Sequence, residues 1–166
     1  LMQWNEFRSH VRHLPARDLQ RVEEAFELGK KMHEGQVRKS GEPYFVHPIA
    51  VSHMLADLSA DGDTIIAALL HDTVEDTPLT LQEIDQQFGG DTATLIDGVT
   101  KLCSKDIGTN AIVNEQIESL RKIFTLMQQD VRIMVIKLYD RLHNMQTVEF
   151  LSEQRRAGLA QETFDV

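Results

Sequence analysis

The stretch Ile65-Ile66-Ala67-Ala68-Leu69-Leu70-His71-Asp72-Thr73-Val74-Glu75-Asp76 decides the fold. Its first six residues are apolar on every side, too short for a membrane span of about 20 residues. A helix that is apolar all round belongs in the middle of a core. Such a helix needs amphipathic neighbours to cover it, and the flanking sequence supplies them. Leu19, Val22, Ala25, Phe26 and Gly29 recur at spacings of three and four, which predicts a helix from Ala16 to Glu34, stopped by Gly35. Pro48 suits the first turn of a helix running to Leu58. Asp61-Gly62-Asp63 provides a turn and a cap for the apolar helix, expected over Thr64 to Val74 before Thr77-Pro78.

Downstream, Thr80 with Glu83 is a capping box for a helix to Phe88. Asp91 caps another reaching Leu102, and Ser104 to Asn110 reads as a polar loop. Helices are expected from Val113 to Met127, from Val131 to Val148 behind Asp130, and from Ser152 onward. In the Val131 helix, Val131, Val135, Leu138, Leu142 and Met145 form an apolar stripe expected to face the core. Few segments have strand character. The fold class is therefore all-α, a helical bundle in a single domain over residues 1–166.

Composition narrows the function. Lys and Arg number 17 against 26 Asp and Glu, a net charge of −9, which argues against a nucleic-acid-binding surface. An anionic ligand would need a local cluster of cations. The single cysteine, Cys103, excludes an internal disulfide and a multi-cysteine zinc site. With no signal-like N-terminus, no membrane segment and one thiol, the expected location is the cytoplasm.

Three groups of residues can carry chemistry. His71 and Asp72 end the buried helix, where ionisable groups are costly unless something satisfies them. A hydrogen-bonded helix end would do so, and so would a divalent transition metal, which suits imidazole and carboxylate together. Glu75 and Asp76 follow at once, and carboxylates at a helix C-terminus oppose its dipole unless a cation or a catalytic role compensates. In the Val131 helix, Asp140, Asn144 and Thr147 share one face, with His143 beside them. Finally, residues 38–48, RKSGEPYFVHP, join two cations and a hydroxyl to flexible backbone and end in His47.

RKSGEPYFVHP, then HDTVEDT at 71–77, then KLYDRLHNMQT at 137–147 resemble the HD-type hydrolase domain of the bacterial (p)ppGpp synthetase/hydrolase family, the RelA/SpoT homologues. FGGDTATLIDGVTKL and ESLRKIFTLMQQDVRIMVIKL are similar to that family as well, so the resemblance spans Leu19 to Val166. It implies an HD-domain bundle in which His47, His71, Asp72 and Asp140 hold one manganese ion. It implies catalytic roles for Glu75 and Asp76, packing of Arg38 on a guanine base, and nucleotide binding by Lys39, Ser40, Asn144 and Thr147. Two positions depart from the family: Tyr139 replaces the usual Ala, and Gln146 the usual Arg.

The implied activity is manganese-dependent hydrolysis of guanosine alarmones at the 3′-pyrophosphate, giving GDP or GTP plus pyrophosphate. The implied partners are ppGpp and pppGpp, with no nucleic acid or membrane. The resemblance also implies a longer parent with C-terminal synthetase and regulatory domains. Two rival expectations are an HD phosphohydrolase of other nucleotides and a non-catalytic nucleotide-sensing domain. The intact Glu75-Asp76 pair argues against the second.

Overall fold

The computed structural model describes residues 2–103, 121, 124–125, 127–150 and 153–164. Their helices are α1 (Trp4–Phe7), α2 (Ala16–Met32), α3 (Val46–Asp57), α4 (Gly62–Leu70), α5 (Thr73–Asp76), α6 (Leu81–Phe88), α7 (Gly90–Cys103), α8 (Val131–Gln146) and α9 (Glu153–Phe164), with a 3-10 turn at Val148–Phe150. Among the described residues there is no strand, only an isolated bridge between Val37 and Pro43. The expected loop Ser104 to Asn110 lies outside the described residues. So does most of the helix expected over 113–127, of which Arg121, Phe124, Thr125 and Met127 are helical.

Helix α4 is the hub. Ile65 through Leu70 are fully buried, and α2, α3, α7 and α8 all pack on it. Each of its large apolar side chains contributes roughly 1.5–3 kcal/mol of burial free energy. Asp61 caps it, its carboxylate accepting from the Thr64 N–H at 2.8 Å. The capping box of α6 forms as expected, Thr80 Oγ1 accepting from the Glu83 N–H while Glu83 accepts from the Thr80 N–H. The short α1 has no counterpart in the sequence reading. It closes one end of the core with an aromatic cluster in which Phe26 lies 5.8 Å from Trp4, 5.4 Å from Phe7 and 5.5 Å from Phe45, ring centre to ring centre.

Three expectations need correction. The helix expected over Thr64 to Val74 breaks after Leu70, because side chains take over the last carbonyls. His71 Nδ1 donates to Ala68 O at 2.8 Å and Thr73 Oγ1 to Leu70 O at 2.6 Å, in place of the backbone ladder. Glu75 and Asp76 therefore sit in the short α5, which starts afresh after Asp72, rather than opposing the dipole of α4. Asp91 lies in the first turn of α7 instead of ahead of it. On α8 the expected core stripe is wrong. Val131, Leu138 and Leu142 are 55%, 50% and 45% exposed, while Ile133, Met134, Ile136, Lys137 and Asp140 are buried. Ile133, Lys137, Asp140, Asn144 and Thr147 repeat with the same spacing as the apolar stripe. Periodicity could not choose between the two faces, and the face that turns inward leads from the core into polar residues.

Candidate active site

The site lies where α3, the α4–α5 junction and α8 meet, under the loop that follows α2. That loop folds as a tight hairpin. Arg38 N–H donates to Glu42 O at 2.8 Å and Tyr44 N–H to Gln36 O at 2.9 Å. Gly41 makes the reversal at φ +83°, a left-handed conformation that favours glycine. The hairpin brings Arg38, Lys39, Ser40 and Tyr44 to the mouth of a cleft of about 500 Å³. His47, Asp72, Lys137, Asp140, Asn144 and Thr147 also line it. A larger hollow of about 840 Å³ between α2, α6 and α7 is lined by Arg17, Asp18, Arg21 and Asp63 among others. There Arg21 is engaged by Asp18, Asp63 and the Phe88 carbonyl, a structural lock.

At the base of the cleft four expected metal ligands converge. His47 Nε2 is 3.1 Å from Asp140 Oδ1 and 3.8 Å from Asp72 Oδ2. His71 Nε2 is 3.1 Å from Asp72 Oδ1 and 4.0 Å from Asp140 Oδ1. Both rings and Asp140 are buried. The donor set is mixed nitrogen and oxygen, as first-row divalent cations prefer. His71 provides the test of fit. Its Nδ1 can only donate to the Ala68 carbonyl, so in the neutral ring Nε2 carries the lone pair. That Nε2 is buried without a hydrogen-bond partner and faces two carboxylates. A cation among these four groups would satisfy the nitrogen and the oxygens together, and the residues fit one.

The surroundings tune the quartet. Burial pushes the His47 imidazole down, against the hydrogen bond to Asp140. Burial alone would raise Asp140, but its contacts with His47, His71 and Lys137 hold it well below the usual carboxylate range. Lys137 Nζ donates to Asp140 Oδ2 and Asn144 Nδ2 to Asp140 Oδ1, each at 2.7 Å. Burial, then the neighbouring His47 and Arg38, lower His143 to about 4. A neutral His143 lies 2.8 Å from His47, Nδ1 to Nδ1, where it can fix the orientation of that ring.

The structure brings Arg38, Asn144 and Thr147 together as well. The Arg38 guanidinium donates to Thr147 Oγ1 at 3.1 Å and, more weakly, to Asn144 Oδ1 at 3.4 Å. Lys39 is exposed at the rim, and Ser40 Oγ donates to Glu42 within the hairpin. Glu75 and Asp76 stand at the exposed edge, both outside the cleft lining. Asp76 is joined to the quartet through Tyr44, whose hydroxyl lies 2.9 Å from Asp76 Oδ2 and 3.0 Å from Asp72 Oδ2. Burial, then the Asp72 charge, push the phenol far up, so it remains a donor.

Sequence reasoning gave no role to Tyr44, Lys137 or His143. Lys137 did carry a signal: a lysine on a face otherwise set by Ile133 and Ile136, three residues before an aspartate.

The profile of the HD domain family matches residues 25–166. The chain is 44% identical over 153 residues to a "GTP pyrophosphokinase" of Myxococcus xanthus, covering 92% of this chain and 20% of that one. It is 42% identical over 154 residues to the "Bifunctional (p)ppGpp synthase/hydrolase SpoT" of Escherichia coli strain K12, covering 93% and 22%. The chain thus spans about a fifth of the length of the curated relatives it matches. A solved structure described as a metazoan ortholog of SpoT that hydrolyzes ppGpp superposes with a TM-score of 0.68 at 28% identity, over 87% of this chain and 84% of the other.

Proposed function

The chain belongs to the HD domain family, with relatives of the RelA/SpoT type, and from that premise we propose that it hydrolyses (p)ppGpp at the 3′-pyrophosphate. The observation that carries the proposal is the partnerless buried Nε2 of His71, converging with His47, Asp72 and Asp140 beneath a cleft mouthed by cations. His47, His71, Asp72 and Asp140 would hold one divalent cation, for which manganese is our assignment. Such an ion supplies Lewis-acid polarisation of the phosphate and a more acidic water.

The remaining steps fall to the chain's own side chains. Arg38 lies flat against the guanine base, with Asn144 and Thr147 fixing the nucleoside beside it. Lys39 and Ser40, at the hairpin tip, offer a charge and a hydroxyl to the phosphates. Tyr44 holds the Asp76 carboxylate at a fixed offset from Asp72. Water attacks the phosphorus bonded to the 3′-oxygen, and the bond from that phosphorus to the 3′-oxygen breaks. Glu75 or Asp76 accepts the water's proton, and the leaving 3′-oxygen takes a proton from solvent, giving GDP or GTP and pyrophosphate.

We assign hydrolysis to these 166 residues and place synthesis, as named for the longer relatives, in sequence outside the matched segment. Regulatory domains in a longer parent belong to the same proposal. Pyrophosphate release from ppGpp with added manganese tests the reading. We expect turnover that is lost in Asp72→Ala together with the metal, and no ppGpp made from ATP and GDP. Turnover of other nucleotides in preference to ppGpp would overturn the substrate assignment. Nucleotide binding without any turnover would leave a sensing domain instead.

A further inference from the structure

Three histidines stand at the opposite end of α3 from the cleft. His10 and His13 lie in the segment between α1 and α2, and His53 lies on α3, six residues beyond His47 and roughly 9 Å further along the axis. His10 Nδ1 is 2.8 Å from His53 Nε2, with the rings edge to face at 3.9 Å between centres. Asp57, one turn on from His53, places Oδ1 3.9 Å from the same Nε2. All three ligand atoms lie within 4.8 Å of one another. His13 Nε2 meets the Ala60 carbonyl at 2.8 Å, which pins the same segment beside α3 a second time.

We propose that His10, His53 and Asp57 form a second divalent-metal site, of a kind zinc fits, that fastens the N-terminal segment to α3. Zinc bound at about 2.0–2.1 Å by nitrogen and carboxylate ligands sets tetrahedral donor atoms about 3.3 Å apart. The two observed separations bracket that spacing. The set is two imidazoles and one carboxylate, and the half-exposed position leaves the fourth vertex to water. A hydrogen bond between the two rings would account for one contact only. Asp57, one helical turn on, faces the nitrogen that already faces His10, so a cation there would satisfy all three groups together. The metal would stabilise the closure of the core by Trp4 and Phe7, since a cation that binds only the folded chain shifts the equilibrium toward it. This site shares no residue with the cleft, so its fate is separate from the hydrolase reading.

The test is zinc stoichiometry on the full chain after chelator treatment, by equilibrium dialysis and elemental analysis. We expect two zinc ions per wild-type chain, one in His53→Ala, one in His71→Ala and none in the double variant. Zinc should also raise the melting temperature of His71→Ala, and His53→Ala/His71→Ala should lose that rise. Asp57→Asn, at an exposed position, should keep the fold by circular dichroism and bind the second ion more weakly. It decides the matter if His53→Ala fails to fold. A His71→Ala chain that binds no zinc, or Asp57→Asn with undiminished affinity, would overturn the proposal.

Discussion

Gly98, on α7, faces Ile133 at the start of α8. A Cβ at Gly98 would stand 2.8 Å from Ile133 Cγ1 and 3.0 Å from Cγ2, with Cδ1 nearer still. The first and the last are closer than carbon atoms tolerate and the second is tight, and Ile133 is fully buried with no exposed direction in which to turn. Overpacking of this kind costs about 1–3 kcal/mol. Alanine's better helix propensity offsets roughly 1 kcal/mol. Gly98→Ala should therefore lose up to about 2 kcal/mol, read as a lower urea midpoint with an unchanged slope. The damage should also reach the site. Asp140 lies seven residues beyond Ile133 on the same helix, and α8 can relieve the clash only by moving away from α7. Manganese affinity should fall together with stability. Ile133→Val removes the nearest carbon, and alone it should cost about 0.5–1.5 kcal/mol. Combined with Gly98→Ala it should cost less than the sum by about 0.5 kcal/mol or more, the coupling expected of residues in contact. A Gly98→Ala chain as stable as wild type, with an additive double variant, would refute the close approach of α7 and α8.

Other expectations follow from the same geometry. Tyr44→Phe should keep the metal and the fold but lower kcat by about 10- to 100-fold, the worth of a hydrogen bond to a charged group; unchanged kcat would show that the Tyr44 bridge plays no part in turnover. Arg38→Ala should raise the dissociation constant for ppGpp, measured directly by calorimetry, by about 2- to 30-fold for the loss of a stacked guanidinium, with manganese affinity intact. Asp61 and Asp130 both titrate below their ordinary value. For Asp61 burial acts upward but the Thr64 cap and Arg132 prevail; for Asp130 the Arg132 hydrogen bond leads. Because the folded state binds protons less readily than the unfolded one, their stabilisation is complete above the ordinary carboxylate pKa and is lost as pH falls through the depressed folded values. The urea midpoint should drop as pH falls below about 4, and Asp61→Asn should flatten that drop; an equally steep profile in the variant would remove Asp61 from the account.

Much of the bundle was legible because local chemistry and tertiary demand agreed. The capping box at Thr80 and the apolar hexamer Ile65 to Leu70 admit few alternatives, and both appear as read. Where they disagreed the reading failed. The α8 sequence offers two faces of equal period, and only the partners α3, α4 and α7 select the one with Lys137 and Asp140. The break after Leu70 depends on the His71 ring and the Thr73 hydroxyl taking carbonyls from the ladder, a competition that composition does not reveal. The convergence of His47, His71, Asp72 and Asp140 was anticipated from family resemblance, because spacing alone cannot bring residues of three separate segments together. Tyr44 was visible as a letter in the hairpin, but its role arises only from the distance to two carboxylates on another element.

The contact of Arg38 with Thr147 and Asn144 has a kinetic consequence. The guanidinium joins the hairpin to the end of α8 across the cleft mouth, so three of the proposed nucleotide contacts already satisfy one another. An arriving base must exchange these bonds for its own, and the net gain is the difference between two sets of interactions. It also meets a latch that has to open first. If opening is slower than encounter, the observed association rate will level off with rising nucleotide concentration instead of climbing without limit, as it must when a unimolecular opening limits binding. The plateau would then measure the latch itself, and Thr147→Val, by removing its shorter bond, would raise it.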